Sequence, residues 1–536
     1  MRHLFFIGLI IIAFTALSCN NSEKRSSKPD VLASDIDSSV NPADDFFDYA
    51  NGKWIKNNPI PADESAWGLF QVIPDETLSR LRTINEDVSK KSQAEGTSEQ
   101  KIGDFWKAAN DSAKIEKLGI QPLQPYLAKI DAINDAASLQ NTMAELDAMG
   151  VGGAIALSVG QDAKNSALEV LQMDQTGLGL PEREFYFKTD STSVAIRNAY
   201  VKNITQILTL IGEDSSKAFT SAKNILTLET QLAKASKKLE DLRDPYANYH
   251  KYAVKDLNKV SPQIDWNNYM KIYGVSNADS VIIGQPGYYR EAGAALHLTS
   301  LDTWKDYLRY RLTNEFASAL PDIFGKTNFE FYKLFSGAAE RKPRWKRIIS
   351  TEQNVMGELL GQIYVKKYFD DSAKARYSQL VENIRTALKN RIQNLDWMSD
   401  STKQKALTKL AMVNKKVGYP DKWKDFSSLK ITPDNYFENL VHANIFWHNY
   451  NIDKLGKPVD KTEWGMYPQT YNAYYDPSNN EIVLPAAAFI IPGYSDSELD
   501  DAVVYGYMAA STIGHEITHG FDDEGRQYDG EGNLKG

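Results

Sequence analysis

The chain has 536 residues, 42% hydrophobic and 24% charged, the make-up of a soluble globular protein and too long for one compact core. Its formal net charge of −9 argues against nucleic acid as a partner. The 28 Tyr, 21 Phe and 10 Trp suit a large interior or a ligand cavity, most of them as ordinary core.

Residues 1–18 read as a secretory signal. Arg2 and His3 precede an apolar run from Leu4 to Leu17, then Ser18 and Cys19. The run is too short for a membrane-spanning helix. Cys19 is the only cysteine, so no intramolecular disulfide can form. Ala16-Leu17-Ser18-Cys19 resembles a bacterial lipobox, with Ala16 where leucine is commonest. Lipidation at Cys19 would make this an exported bacterial lipoprotein anchored to a membrane; plain signal cleavage is the alternative. The polar residues 19–40 then form a flexible tether.

From Asn41 the composition is globular. Asn41–Trp54 reads as a capped helix stopped by Gly52, and Asn58-Pro59-Ile60-Pro61 as a turn. Helical spacing follows from Asp75 to Gln93 and through Leu139–Met149, Ala195–Ile211, Ser221–Leu239, Leu301–Phe316, Thr351–Tyr368 and Ala373–Leu395. One short piece, Gly153–Gly160, could be extended. Near Gly418-Tyr419-Pro420 the helical run stops, which divides a mostly helical region, 41–425, from a second, 426–536. There Tyr471–Tyr475 and Glu481–Leu484 flank Asp476-Pro477-Ser478-Asn479-Asn480 as a hairpin, ended by Pro485. The acids Asp496, Glu498, Asp500 and Asp501 suit the start of a helix whose small residues, Ala502, Gly506, Ser511 and Gly514 among them, predict close packing in a core.

That helix carries Gly514-His515-Glu516-Ile517-Thr518-His519-Gly520. Two histidines four apart on a helix stand one turn above each other, so both imidazoles reach one metal ion. Glu516 projects beside that ion, placed to take a proton from water. Only 7 histidines occur in the chain, which makes a chance match improbable. Behind a hairpin, such a helix is the arrangement of a zincin, with an edge strand available for a peptide to pair with.

At this point the residues resemble the neprilysin and endothelin-converting-enzyme family of zinc metallopeptidases, especially its bacterial oligopeptidase branch. The resemblance runs from Asn41 to Gly536 and includes Asn41–Trp54, Asn58–Ser65, Gly177–Tyr186, Arg341–Arg347, Leu395–Met398, Gly418–Trp423, Trp464–Met466, Asn472–Tyr475 and Gly514–Gly536. It implies a mainly α, two-lobed zincin with a small β part. A thermolysin-like catalytic lobe and a large helical lobe would enclose a cavity. It implies one zinc per chain on His515 and His519, Glu516 as general base, and Asn472 and Ala473 holding the backbone of oligopeptide substrates. The alternative for Asn472 and Ala473 is that they are plain hairpin residues. Asp522 and Asp523 suit capping or support of the histidines and are not assigned to the metal. The chain departs from animal members at Ala43 and Asn51, where cysteines would stand. Arginines that grip a substrate's C-terminus are absent from Ala66–Pro74, so endopeptidase action on oligopeptides is expected; the protein is also expected to be a monomer.

Catalytic zinc takes three protein groups plus water. In the family the third is a glutamate well downstream, and only 17 residues, none a histidine, follow His519. The chain is therefore expected to be a C-terminally incomplete record, with the third ligand absent and the catalytic domain truncated. A non-catalytic peptide- or glycan-binding surface lipoprotein remains the alternative.

Overall fold

The computed structural model describes residues 33–535. The signal segment and Cys19 lie outside the described residues. The chain forms two compact units, the described part of Met1–Pro61 with Tyr494–Asp500, and Ala62–Gly493 with the described residues from Asp501 onward.

In the first unit, the helix Phe46–Asn57 begins where the Asp45 carboxylate accepts the Asp48 amide at 2.9 Å. Gly52 does not stop this helix; it is buried within it. A Cβ at Gly52 would sit 3.1 Å from the Asp37 Cβ, so the glycine is there for close approach of chain rather than for a turn.

In the second unit, Leu69–Ser89, Ala136–Asp147, Ser191–Leu210, Ser215–Ala235, Leu301–Glu315, Arg344–Tyr368 and Asp371–Gln393 are helices on the predicted periodic stretches. Asp135, Asp190, Asp214 and Asp370 cap four of them by accepting first-turn amides, which satisfies donors a helix start would leave orphaned. The abundant tyrosines are largely core, as expected. Buried Tyr288 donates to the Ala154 and Thr176 carbonyls, Tyr289 to those of Ala156 and Asp174, and Tyr307 to that of Gly177. Each ring fills the interior while its hydroxyl satisfies backbone that is not in a helix.

Two small sheets interrupt the helices. The first contains β1 (Ser158–Asp162), β2 (Asn165–Met173), β3 (His250–Ala253) and β4 (Ser280–Ile283) in the order β1-β2-β4-β3, with β2 and β4 parallel. Only its first strand is legible in the sequence, and that strand begins at Ser158 rather than Gly153. Four-residue strands such as β3 and β4 are too short to show alternation.

The second sheet contains β5 (Asn414–Gly418), β6 (Tyr474–Asp476) and β7 (Glu481–Pro485) in the order β5-β7-β6. β5 runs parallel to β7, and β6 pairs antiparallel with β7, Tyr474 facing Val483. The expected hairpin is thus β6–β7, and β6 is one edge of the sheet, β5 the other. Asn480 closes the turn at φ 47°, a left-handed conformation that asparagine tolerates. Its amide donates to the carbonyls of Lys409 (3.2 Å) and Gly530 (2.9 Å), and its oxygen accepts the Tyr475 hydroxyl at 2.8 Å. One buried side chain therefore pins the hairpin to two distant segments. The fold is mainly α with a small β part, as expected.

Candidate metal centre

The motif helix Gly514–His519 continues a run that starts at Asp501–Val504 and passes through a π-helical stretch, Tyr505–Ile513. Of the upstream acids, Asp501 opens this run as expected, whereas Asp496 and Glu498 belong to a separate 3₁₀ turn capped by Ser495. The small residues do not make the packed face. Ala502, Gly506 and Ser511 are exposed, whereas Val504, Met508, Ile513 and Ile517 are buried. Their spacing of four, five and four follows the widened i→i+5 turn, a geometry that composition does not reveal.

One α-helical turn apart, His515 and His519 bring their Nε2 atoms to 3.0 Å, with the rings at 86° to each other. Two ligands of a tetrahedral zinc ion at its usual bond lengths sit about 3.3 Å apart, so the pair is spaced to share a metal. Asp522 Oδ2 lies 2.7 Å from His519 Nδ1. A carboxylate there keeps the proton on Nδ1 and leaves the Nε2 lone pair free, the tautomer a metal requires. Both rings are reachable from solvent.

Glu516, between the two histidines in sequence, is buried, at 8% exposure. Burial raises its carboxyl above the usual range, partly offset by His515, His519 and the Tyr475 backbone amide of edge strand β6. Gly520 lies against the same tyrosine, since a Cβ there would meet the Tyr475 hydroxyl at 3.1 Å. The motif helix is thus held beneath β6. Asn472 and Ala473 lead into β6; Asn472 is exposed and accepts the amide of buried Ala473 at 2.9 Å.

The loop after the motif is built to keep Asp522 in place. Its Oδ1 accepts the amides of Glu524 (3.0 Å) and Gly525 (2.7 Å). Burial works against the charge of Asp522, yet His519 and those amides together hold its carboxyl below the usual range. Gly525 crosses the helix end so closely that a Cβ would lie 1.8 Å from the His519 carbonyl oxygen. Lys409, on the helix Asp400–Met412, donates to the Gly525 (2.6 Å) and Tyr528 (2.8 Å) carbonyls. Burial lowers the Lys409 ammonium to about 8. Sequence reasoning already reads Asp522 as capping or support of the histidines, and its carboxylate does both here. It has no means of finding Lys409, which comes from 116 residues away.

His515, Glu516 and His519 are therefore brought together as expected. Among the described residues, no group of three or more His, Cys, Asp or Glu is set to hold a metal, so the imidazoles are a partial donor set. Their spacing fits zinc, and the Asp522 carboxylate at His519 Nδ1 favours the tautomer that a metal requires.

Two imidazoles and a buried carboxylate on one helix, under the edge strand of a small sheet, define a zincin-type metallopeptidase site. Sequence models described as peptidase family M13 match residues 42–420 and 472–536. The chain belongs to peptidase family M13. It is 31% identical to Neprilysin-3 of Drosophila melanogaster, over 97% of this chain and 69% of that protein. It is 30% identical to endothelin-converting enzyme 1 of Homo sapiens, over 96% of this chain and 68% of the other. Among solved structures, the Mycobacterium tuberculosis zinc metalloprotease Zmp1 in complex with an inhibitor superposes with a TM-score of 0.89 at 36% identity, covering 95% of this chain and 77% of that one. PepO from Lactobacillus rhamnosis shares the fold at 23% identity and a TM-score of 0.84. The fold is thereby the two-lobed zincin class, and the protein is a peptidase.

Proposed function

We propose that the protein is a zinc-dependent endopeptidase that hydrolyses oligopeptides. The observation that carries this reading is the His515–His519 pair, 3.0 Å apart at Nε2, beside a buried Glu516 and under an edge strand. His515 and His519 would hold one zinc ion, together with a further protein ligand. Zinc bound there supplies a Lewis acid for the scissile carbonyl and acidifies a water. Glu516 takes the proton of the attacking water on its carboxylate and passes it to the departing amine. Its burial suits the second task, because a raised carboxyl holds a proton more readily. Edge strand β6, with Asn472 and Ala473 at its entrance, offers backbone groups along which an extended peptide aligns. For Ala473 to bond substrate through its amide, the Asn472 side chain must first release it.

The basic start, the Leu4–Leu17 run and Ser18-Cys19 support export and anchoring through a lipidated Cys19 in a bacterial membrane. No helix among the described residues is long and apolar enough to cross a membrane.

The test is cleavage of an internally quenched peptide. Activity should vanish with a zinc chelator and return on adding zinc; hydrolysis indifferent to chelation would sink the proposal. A second expected result concerns Asp522. Asp522→Ala should weaken zinc about 10–100-fold in a competitive chelator titration, with helix content unchanged. An unaltered affinity would mean that Asp522 merely caps the loop.

A further inference from the structure

A cavity of about 220 Å³ lies away from the motif helix, between the end of Leu301–Glu315 and the helices Arg344–Tyr368 and Tyr436–Ile452. Its lining combines Glu315, Ser318, Asn354 and Asn444 with the indole of Trp447 and aliphatic Leu440. At this volume it falls below the roughly 300–1,000 Å³ of ordinary small-molecule pockets, and suits one side chain or a small amine.

Glu315 is the only charged residue in that lining. It is open to solvent yet crowded by protein, and crowding raises its carboxyl, partly offset by Arg311 and the Asn444 amide. Arg311 does not neutralise it by contact. Its guanidinium is committed elsewhere, Nε to the Gly152 carbonyl at 3.0 Å and Nη1 to the Leu178 carbonyl at 3.2 Å. Among the described residues, no cation stands within ion-pair distance of Glu315. Asn444 donates to the Met149 carbonyl at 2.8 Å, which fixes its orientation. Trp447 Nε1 donates to the Val355 carbonyl at 3.0 Å, so what the indole can offer the cavity is ring surface, not a donor. A carboxylate without a counter-ion, neutral oxygens and an aromatic ring in one small recess is the complement of an organic cation.

We propose that this recess binds an alkylammonium or guanidinium group, with Glu315 as counter-ion, Trp447 against the methylene stem, and Ser318 and Asn354 accepting the remaining N–H groups. The cation can be carried by a peptide as a lysine or arginine side chain, or arrive as a free amine. The inference does not depend on the peptidase reading, because the recess contains no residue of the motif helix or of β6.

The experiment is calorimetric titration of the protein with three probes: n-butylamine, N-acetyl-lysine N-methylamide and N-acetyl-norleucine N-methylamide. Both cations should bind, and the isosteric norleucine compound should bind at least about ten-fold more weakly, as loss of a charge-assisted contact predicts. Binding of butylamine alone would assign the site to free amines; binding of capped lysine as well would assign it to peptide side chains. Glu315→Gln should weaken the cations about ten-fold or more and leave norleucine unchanged. If Glu315→Gln melts early, Asn354→Trp, which fills the recess from an exposed position, should block both cations in a folded protein. Equal affinity for lysine and norleucine compounds, or cation binding untouched by both substitutions, overturns the proposal.

Discussion

Glu516→Gln is expected to lower peptide hydrolysis by about 10²–10⁴-fold, the usual contribution of a positioned general base, while leaving zinc bound. The substitution exchanges one carboxylate oxygen for an amide nitrogen and keeps the shape. The oxygen that remains can still accept the Tyr475 amide, and neither imidazole is touched, so the motif helix stays seated beneath β6. What disappears is the carboxylate proposed to take the proton. Because that carboxylate is 8% exposed and burial already disfavours its charge, a neutral amide should cost no stability. The expected signature is therefore threefold: lost turnover, zinc content by elemental analysis equal to that of the unsubstituted protein, and a melting temperature equal or higher. Hydrolysis at the original rate would remove Glu516 from the mechanism. Lost zinc would show that its role is structural instead.

What can be read from sequence divides along a physical line. Features set by neighbours in the chain are legible: the four-residue spacing of His515 and His519, the hairpin around Asp476–Asn480, and the periodic faces of helices such as Ser191–Leu210 and Ser215–Ala235. Features set by groups far apart in sequence are not. Lys409 reaches the carbonyl of Gly525, and Asn480 ties the hairpin to both Lys409 and Gly530; no local pattern announces such bonds. β5 is hidden for a related reason. Asn414–Gly418 is too polar to look like a buried strand, yet it is one because Lys416 finds a partner on β7. The exposed Ala502, Gly506 and Ser511 mislead because an α-helical period does not hold where the chain is π-helical. Gly52 reads as a stop because composition cannot separate a glycine needed for a turn from one needed for close contact.

The Lys416 partnership carries the second large effect. Lys416, 7% exposed, donates to Glu481 Oε1 at 2.7 Å and to the Glu463 carbonyl at 2.5 Å. Glu481, 1% exposed, also accepts the Asn414 amide at 3.1 Å. Burial raises the Glu481 carboxyl above the usual range even with Lys416 beside it, so desolvation is the dominant influence at this site. A buried pair of this kind adds little over an apolar pair of the same shape, but half of it is a severe liability. Glu481→Leu strands the Lys416 ammonium inside the β5–β7 sheet and should destabilise the protein by about 3–5 kcal/mol, read as a lower midpoint in chemical denaturation. Lys416→Met combined with Glu481→Leu should recover most of that loss, because no uncompensated charge remains. The two variants also separate stability from alignment of substrate. Within the sheet β6 pairs only with β7, so a shift of β7 in the single variant displaces the edge strand over Glu516, and peptide hydrolysis should fall with stability. In the double variant both should return together. A single variant as stable as the parent would show that water reaches Lys416 and that the sheet under the motif helix is wetter than its packing implies.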